Sequence, residues 1–206
     1  MAKGGDSKRW LKEHRDDGFV KSARVAGYRS RAAYKLMEID GRDRLLAPGL
    51  TVVDLGAAPG GWTQVAVERT QPDGCVVALD LRPMTPLPGA TVIEGDFSAQ
   101  ETLDALLERL GDRAVGLVMS DMAPNMSGID VVDQARAMHL AQLSLDLAKR
   151  VLGEQGALLV KVFHGDGFDD FCRELKACFE RLSTRKPRAS RARSRETYLL
   201  ARGYRQ

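Results

Sequence analysis

Short apolar runs alternate with amphipathic stretches along this chain, and that alternation predicts most of its elements. TVVDL (51–55), CVVALD (75–80), ATVIEGD (90–96), AVGLVMSD (114–121) and GALLVKVF (156–163) are nearly continuous in apolar residues. Runs of this length and character predict strands buried on both faces, as in a parallel sheet. Between them, helical patterning covers 61–70, 98–110, a long stretch near 132–152, and 167–180. Before the first strand, SRAAYKLMEID (30–40) predicts an amphipathic helix with Ser30 as N-cap and Ala33, Leu36 and Met37 on its apolar face. A final run, ETYLLARG (196–203), follows RLSTRKP (181–187) and predicts an edge hairpin. Together these give an α/β fold of Rossmann-like type, a mostly parallel doubly wound sheet with an antiparallel edge strand, as one domain over 1–206. In such sheets ligands collect beyond the carboxyl ends of the strands.

The first strand runs straight into a glycine-rich turn, VVDLGAAPGGW (52–62). Gly56 follows the strand, and Gly60 and Gly61 open the next helix, where glycine lets a ligand approach the backbone closely. The G-K-[ST] of a phosphate-binding loop is absent, and the spacing G-x-x-P-G-G is not the dinucleotide G-x-G-x-x-G. Pro59 removes a donor that a pyrophosphate could use, and Asp54 places a carboxylate where phosphate would be repelled. A cationic or zwitterionic ligand suits this loop better. Asp80 ends the second strand, 24 residues after Gly56, where a carboxylate can accept from both ribose hydroxyls. Asp96 closes the third predicted strand, within reach of an adenine amino group. A nucleoside without a pyrophosphate is thereby described, and S-adenosylmethionine is the expected cofactor. Trp62 either flanks that ligand or packs between sheet and helix.

Charge adds a second partner. Residues 1–35 hold ten Lys/Arg against four Asp/Glu, and residues 181–206 hold nine against one, while 36–180 carries 12 against 23. Basic ends on an acidic body predict that the termini bind a polyanion, against the alternative of solvated tails. The N-terminus lacks an apolar signal segment, and no apolar run approaches a membrane span, so a cytoplasmic protein without membrane contact is expected. Cys75, Cys172 and Cys178 lack the spacing of a zinc site or disulfide framework, so no metal is expected. Nothing marks an oligomer interface, and a monomer is expected.

Two more residues could carry chemistry. Asp121 ends the fourth strand, and Lys161 interrupts the apolar fifth strand between Val160 and Val162. Neighbouring strands would bring both to one crevice, where the lysine amine is a candidate proton acceptor for an attacking hydroxyl. His14, His139 and His164 are the other candidate bases. DMAPN (121–125) is not the Asn-Pro-Pro-aromatic motif of amino-group methylation, and no cysteine is placed to attack a pyrimidine, so a ribose hydroxyl is the better nucleophile.

YRSRAAYKL, VVDLGAAPGGW, SDMAPNMSG, LLVKVFHG and SRARSRETY together closely resemble blocks of the FtsJ/RrmJ family of ribosomal RNA large-subunit ribose 2′-O-methyltransferases. The resemblance runs from about residue 7 to residue 203. It implies a Lys-Asp-Lys-Glu tetrad at Lys35, Asp121, Lys161 and Glu196, with Lys161 as proton acceptor, Asp121 and Glu196 orienting it, and Lys35 binding the ribose. It implies cofactor contacts at Gly60, Trp62, Asp80, Asp96 and Asp121, beside Asp54 and Gly56 from the loop itself. It implies a uridine in the A-loop of 23S ribosomal RNA as the target, within the large subunit. A transfer-RNA ribose methyltransferase and a non-catalytic RNA-binding assembly factor are the alternatives. Arg31, Arg191, Arg193 and Arg195, with the 1–35 arm, are the candidate RNA contacts.

Overall fold

The computed structural model describes residues 17–190 and 194–205. In chain order they form α1 (Gly18–Val25), α2 (Ala32–Asp43), β1 (Thr51–Leu55), α3 (Gly61–Thr70), β2 (Cys75–Asp80), β3 (Ala90–Glu94), α4 (Gln100–Leu110), β4 (Val115–Ser120), α5 (Asp130–Val151), β5 (Leu152–Phe163), α6 (Phe168–Cys178), β6 (Phe179–Arg185) and β7 (Glu196–Tyr204). The sheet order is β3-β2-β1-β4-β5-β7-β6. Strands β1 to β5 pair in parallel, and β7 is antiparallel to both β5 and β6.

Two apolar layers explain this arrangement. On one face Leu36 and Ile39 of α2, with Trp62 and Val65 of α3, pack on Val52, Val76, Leu117, Leu159 and Leu200. On the other, Leu103, Leu106 and Leu110 of α4, Leu145 of α5 and Phe171 and Leu175 of α6 pack on Val53, Val77, Val118, Leu158 and Leu199. The strand residues alternate between faces, as a period of two demands. The buried leucines of α4 recur at helical spacing and close one stripe on the sheet. Full burial of a leucine such as Leu36 contributes about 1.5–3 kcal/mol.

The expected hairpin is present, with a refinement. Strand β7 is buried along most of its length, so it sits one position inside the sheet against β5, and the more polar β6 takes the edge. Strand β5 begins at Leu152, four residues before the expected start, because Leu152 pairs with Val115 across an irregularity in register. Ser30 does not cap α2. Arg31 occupies the N-cap position with helical backbone, the Ser30 carbonyl accepts from Ala33 N–H at 3.2 Å, and the buried Ser30 hydroxyl makes no hydrogen bond among the described residues. Helix α1 was not expected; Asp17 caps it by accepting from the Phe19 N–H at 2.9 Å. Among the described residues no helix is long and apolar enough to cross a membrane.

Candidate active site

The sheet order reverses between β1 and β4, and a cavity of about 750 Å³ opens at the carboxyl ends of those strands. Its wall includes Asp54, Asp80, Asp96 and Asp121, together with Gly56, Pro59 and Trp62. The four carboxylates were expected from sequence, and the fold brings them to one space. A volume of this size suits a nucleoside-sized ligand.

The glycine turn owes its path to two positive-φ residues, Gly56 at 68° and Gly60 at 106°. A Cβ on Gly56 would lie 2.2 Å from the Met122 Cγ, so the β1–α3 turn approaches the β4–α5 loop as only glycine permits. Gly60 shapes the turn from behind, where a Cβ would meet Arg29 and Met84 at 2.9 Å. Arg29 was not foreseen as part of this structure. Its guanidinium donates to the carbonyls of Pro59, Thr85 and Pro86 at 3.3, 2.7 and 2.8 Å, binding the turn to the segment after β2.

Asp80 also braces the turn, accepting from Ala58 N–H and Arg82 N–H, each at 2.8 Å. Asp96 lies just past the end of β3, and its Oδ1 accepts from the Ser98 N–H and hydroxyl, which hold its carboxyl below the usual range. Trp62 packs between sheet and helix and also reaches the cavity. It is buried, donates to the Ala32 carbonyl at 2.8 Å, stands 5.6 Å from the Tyr198 ring, and still contributes to the cavity wall.

Asp121 joins this cavity to a second cluster. Lys161 Nζ lies 2.8 Å from Asp121 Oδ1 and donates to the Asp121 main-chain carbonyl, also at 2.8 Å. Lys35 Nζ lies 3.0 Å from Glu196 Oε1 and 3.6 Å from Asp121 Oδ1. The four residues named from the resemblance therefore meet in one buried ion-pair cluster, although they come from α2, β5, β7 and the end of β4. Burial pushes Asp121 upward, but the charges of Lys161 and Lys35, with hydrogen bonds from Lys161 and Tyr198, outweigh it and hold the carboxyl below its usual value. Glu196 is likewise pushed up by burial and held low overall by Lys35 and Lys161.

Tyr198 is the member that sequence reading missed. Its hydroxyl donates to Asp121 Oδ1 at 2.5 Å and accepts from Lys35 Nζ at 2.9 Å. It pairs in register with Lys161 and lies two residues from Glu196, so all three project from the same face of the sheet. Burial, then the charges of Asp121 and Glu196, raise its phenol well above the usual value. Of the histidines, His139 lines the cavity, His164 packs on Phe168 at 4.4 Å, and His14 lies outside the described residues.

A family model described as FtsJ-like methyltransferase matches residues 28–204. The chain belongs to this family. Ribosomal RNA large subunit methyltransferase E of Alkalilimnicola ehrlichii is 61% identical over 198 residues, covering 96% of this chain and 95% of that protein. The protein of the same description from Cellvibrio japonicus is 53% identical over 204 residues, 99% of this chain and 97% of its own. Among solved structures, a Plasmodium falciparum protein assigned as a ribosomal RNA methyltransferase superposes with a TM-score of 0.78 at 29% identity, over 86% of this chain and 98% of its own. The chain is thus an FtsJ-like methyltransferase, and the cavity with its adjoining cluster is where its chemistry is to be sought.

The RNA-contact candidates fall in different places. In this FtsJ-like chain the Arg31 guanidinium pairs with Asp17 and donates to the Ala189 carbonyl, tying α1, α2 and the segment before β7 together. Arg195 is well exposed and lies 3.3 Å from Asp130. Arg191 and Arg193 lie outside the described residues.

Asp54 carries a pH prediction. Burial pushes its carboxyl from 3.8 up to about 7, opposed by the Thr63 hydroxyl bond at 2.7 Å and reinforced by Asp121 and Asp80. Between those values the native protein retains a proton that the unfolded chain has released, so this contribution to stability is lost as pH rises through the window. Asp54→Asn should flatten the pH dependence of unfolding free energy from about pH 4 to about pH 7, measured by urea denaturation. An unchanged slope would show that Asp54 titrates as an ordinary carboxyl.

Proposed function

We propose that this protein transfers a methyl group from S-adenosylmethionine to a ribose 2′-hydroxyl of large-subunit ribosomal RNA, at a uridine in the A-loop of 23S ribosomal RNA. The observation that carries this reading is Asp121, which at once lines the acidic cavity and holds Lys161 Nζ by two contacts of 2.8 Å. The similar ribosomal RNA large subunit methyltransferases E support the RNA class.

The residues present fit the donor. An acid-lined cavity favours a sulfonium, and the loop offers no phosphate cradle. Asp80 would take the ribose hydroxyls, Asp96 the adenine amino group, and Gly56 and Trp62 the closely approaching body, with Gly60 shaping the turn behind them and Asp54 and Asp121 facing the positive charge. When bound, S-adenosylmethionine supplies an electrophilic methyl on a good leaving group. The chain must then align a hydroxyl and receive its proton. In this reading Lys161 receives the proton as the neutral amine, having first given up its own proton to solvent; its two remaining N–H bonds go to Asp121 and leave the lone pair for the hydroxyl. Glu196 holds Lys35, and Lys35 in turn steadies the acceptor ribose. The whole chain acts as one methyltransferase domain, with the 1–35 arm and the arginines Arg31, Arg191, Arg193 and Arg195 positioning RNA through phosphate contacts.

Labelled S-adenosylmethionine, incubated with large ribosomal subunits, naked ribosomal RNA and transfer RNA, tests the reading. A 2′-O-methyl group mapped to large-subunit RNA is expected; label confined to transfer RNA, or no transfer to any RNA, overturns it. Asp80→Ala should weaken donor binding by about 1.5–3 kcal/mol, roughly ten- to hundredfold in Kd. Calorimetry checks this, and an unchanged Kd removes Asp80 from the donor site.

A further inference from the structure

The loop between β4 and α5, with the first turn of α5, displays an apolar rim that neither the donor site nor the lysine cluster uses. Met126, Ile129 and Val131 are 64, 60 and 79% exposed, and Val132 beside them is 36% exposed. Single exposed apolar residues are ordinary, but several within one short segment mark an interaction surface. The display is held in place rather than left loose. Asp133, buried at 4% exposure, accepts from the Ser127 N–H and hydroxyl at 2.7 Å and from the Gly128 N–H at 3.0 Å. That brace fixes the turn between Met126 and Ile129 and leaves both side chains facing outward.

The rim is continuous with the site. Residues Met122 to Asn125 of the same loop line the cavity, immediately before Met126. At the far end Asp130 is paired with Arg195, and Arg136 is exposed nearly two turns into α5. Apolar side chains bordered by cations match the chemistry of single-stranded nucleic acid, which offers base faces and phosphates together. A ribose hydroxyl must also leave a stacked strand to approach Lys161, an amine only 9% exposed. Apolar side chains can occupy the space beside a displaced base, as wedges do in bent duplexes.

We infer that Met126, Ile129 and Val131 form a wedge that packs against the unpaired bases flanking the target nucleotide and holds them out of their stack. The inference rests on the RNA methyltransferase reading above. The surface takes base faces and not a particular base, since its contacts are the apolar side chains of Met126, Ile129 and Val131, while the exposed Asp130 between them is paired with Arg195. Its contribution is to binding and presentation of the acceptor, apart from the donor.

The test uses the full-length protein and undermethylated large subunits. The triple variant Met126→Ser, Ile129→Ser, Val131→Ser should raise KM for the RNA substrate about tenfold, one decade corresponding to 1.4 kcal/mol. The Kd for S-adenosylmethionine and the denaturation midpoint should stay unchanged. Incorporating p-benzoylphenylalanine at position 126 and irradiating the complex should crosslink to ribosomal RNA next to the methylated nucleotide. An unchanged KM in the triple variant, or a crosslink solely to a ribosomal protein or to a second copy of this chain, overturns the wedge. Failure of the wild-type protein to methylate RNA would instead count against the functional reading, so the two failures are distinguishable.

Discussion

Lys161→Ala is expected to lower methyl transfer by about 10²–10⁴-fold, the range of a lost acid–base group, while S-adenosylmethionine still binds. The reason is positional. Lys161 lies behind Asp121 and outside the cavity wall, so its removal leaves the donor surface in place. Lys161→Arg discriminates between two roles. A guanidinium can keep the ion pair to Asp121 but remains protonated at neutral pH, so it cannot receive a proton. Both variants should therefore fail in single-turnover assays, with donor affinity near that of the wild type. Full activity of the alanine variant would remove Lys161 from the chemistry, and an active arginine variant would assign it a purely electrostatic part.

Asp121→Asn should be the most disruptive single change in the site, because three groups converge on its carboxylate: Lys161, Lys35 and the Tyr198 hydroxyl. Neutralising it removes the shared partner of two buried lysines and leaves Glu196 as the remaining carboxylate beside them. Loss of one partner in a buried cluster costs about 3–5 kcal/mol, and the retained amide bonds place this variant near the lower end. The pH dependence has a definite sign. Asp121 and Glu196 are held below their unfolded values, so the stability they contribute is present above those values and is lost as pH falls through the folded ones. Urea denaturation from neutral to acidic pH should show a shallower acid limb in Asp121→Asn than in the wild type, together with a lower midpoint at pH 7. An acid limb of equal steepness would mean that solvent already screens the cluster.

The sheet was legible because its strands are buried on both faces and therefore read as unbroken apolar runs. The same property made Lys161 conspicuous, since a lysine between Val160 and Val162 has no bland place in such a strand. It also concealed Tyr198. A tyrosine among Leu199, Leu200 and Ala201 reads as core, and only the pairing of β7 with β5 shows its hydroxyl reaching Asp121. That tetrad positions lie together was legible from the resemblance and from strand adjacency, but their distances depend on α2 crossing the sheet, which no local pattern records. Ser30 misled because capping preference is a local signal, whereas the turn into α2 is set by close packing against Gly61, where an added Cβ would lie 2.3 Å from the Ser30 hydroxyl. Arg31 shows a similar limit. Charge counting marks it as a candidate RNA contact but does not record its pairing with Asp17 or its bond to the distant Ala189 carbonyl.

The place of β7 between β5 and β6 has a consequence for how the enzyme comes into being. The acidic cavity is lined by residues that all precede position 144, whereas Glu196 and Tyr198 stand on β7, which follows the other described strands in the chain. That strand closes the gap between two others and brings Glu196 to Lys35 in the same event. The cavity and the lysine cluster are therefore assembled from different spans of the chain, and the cluster is complete only once β7 has docked.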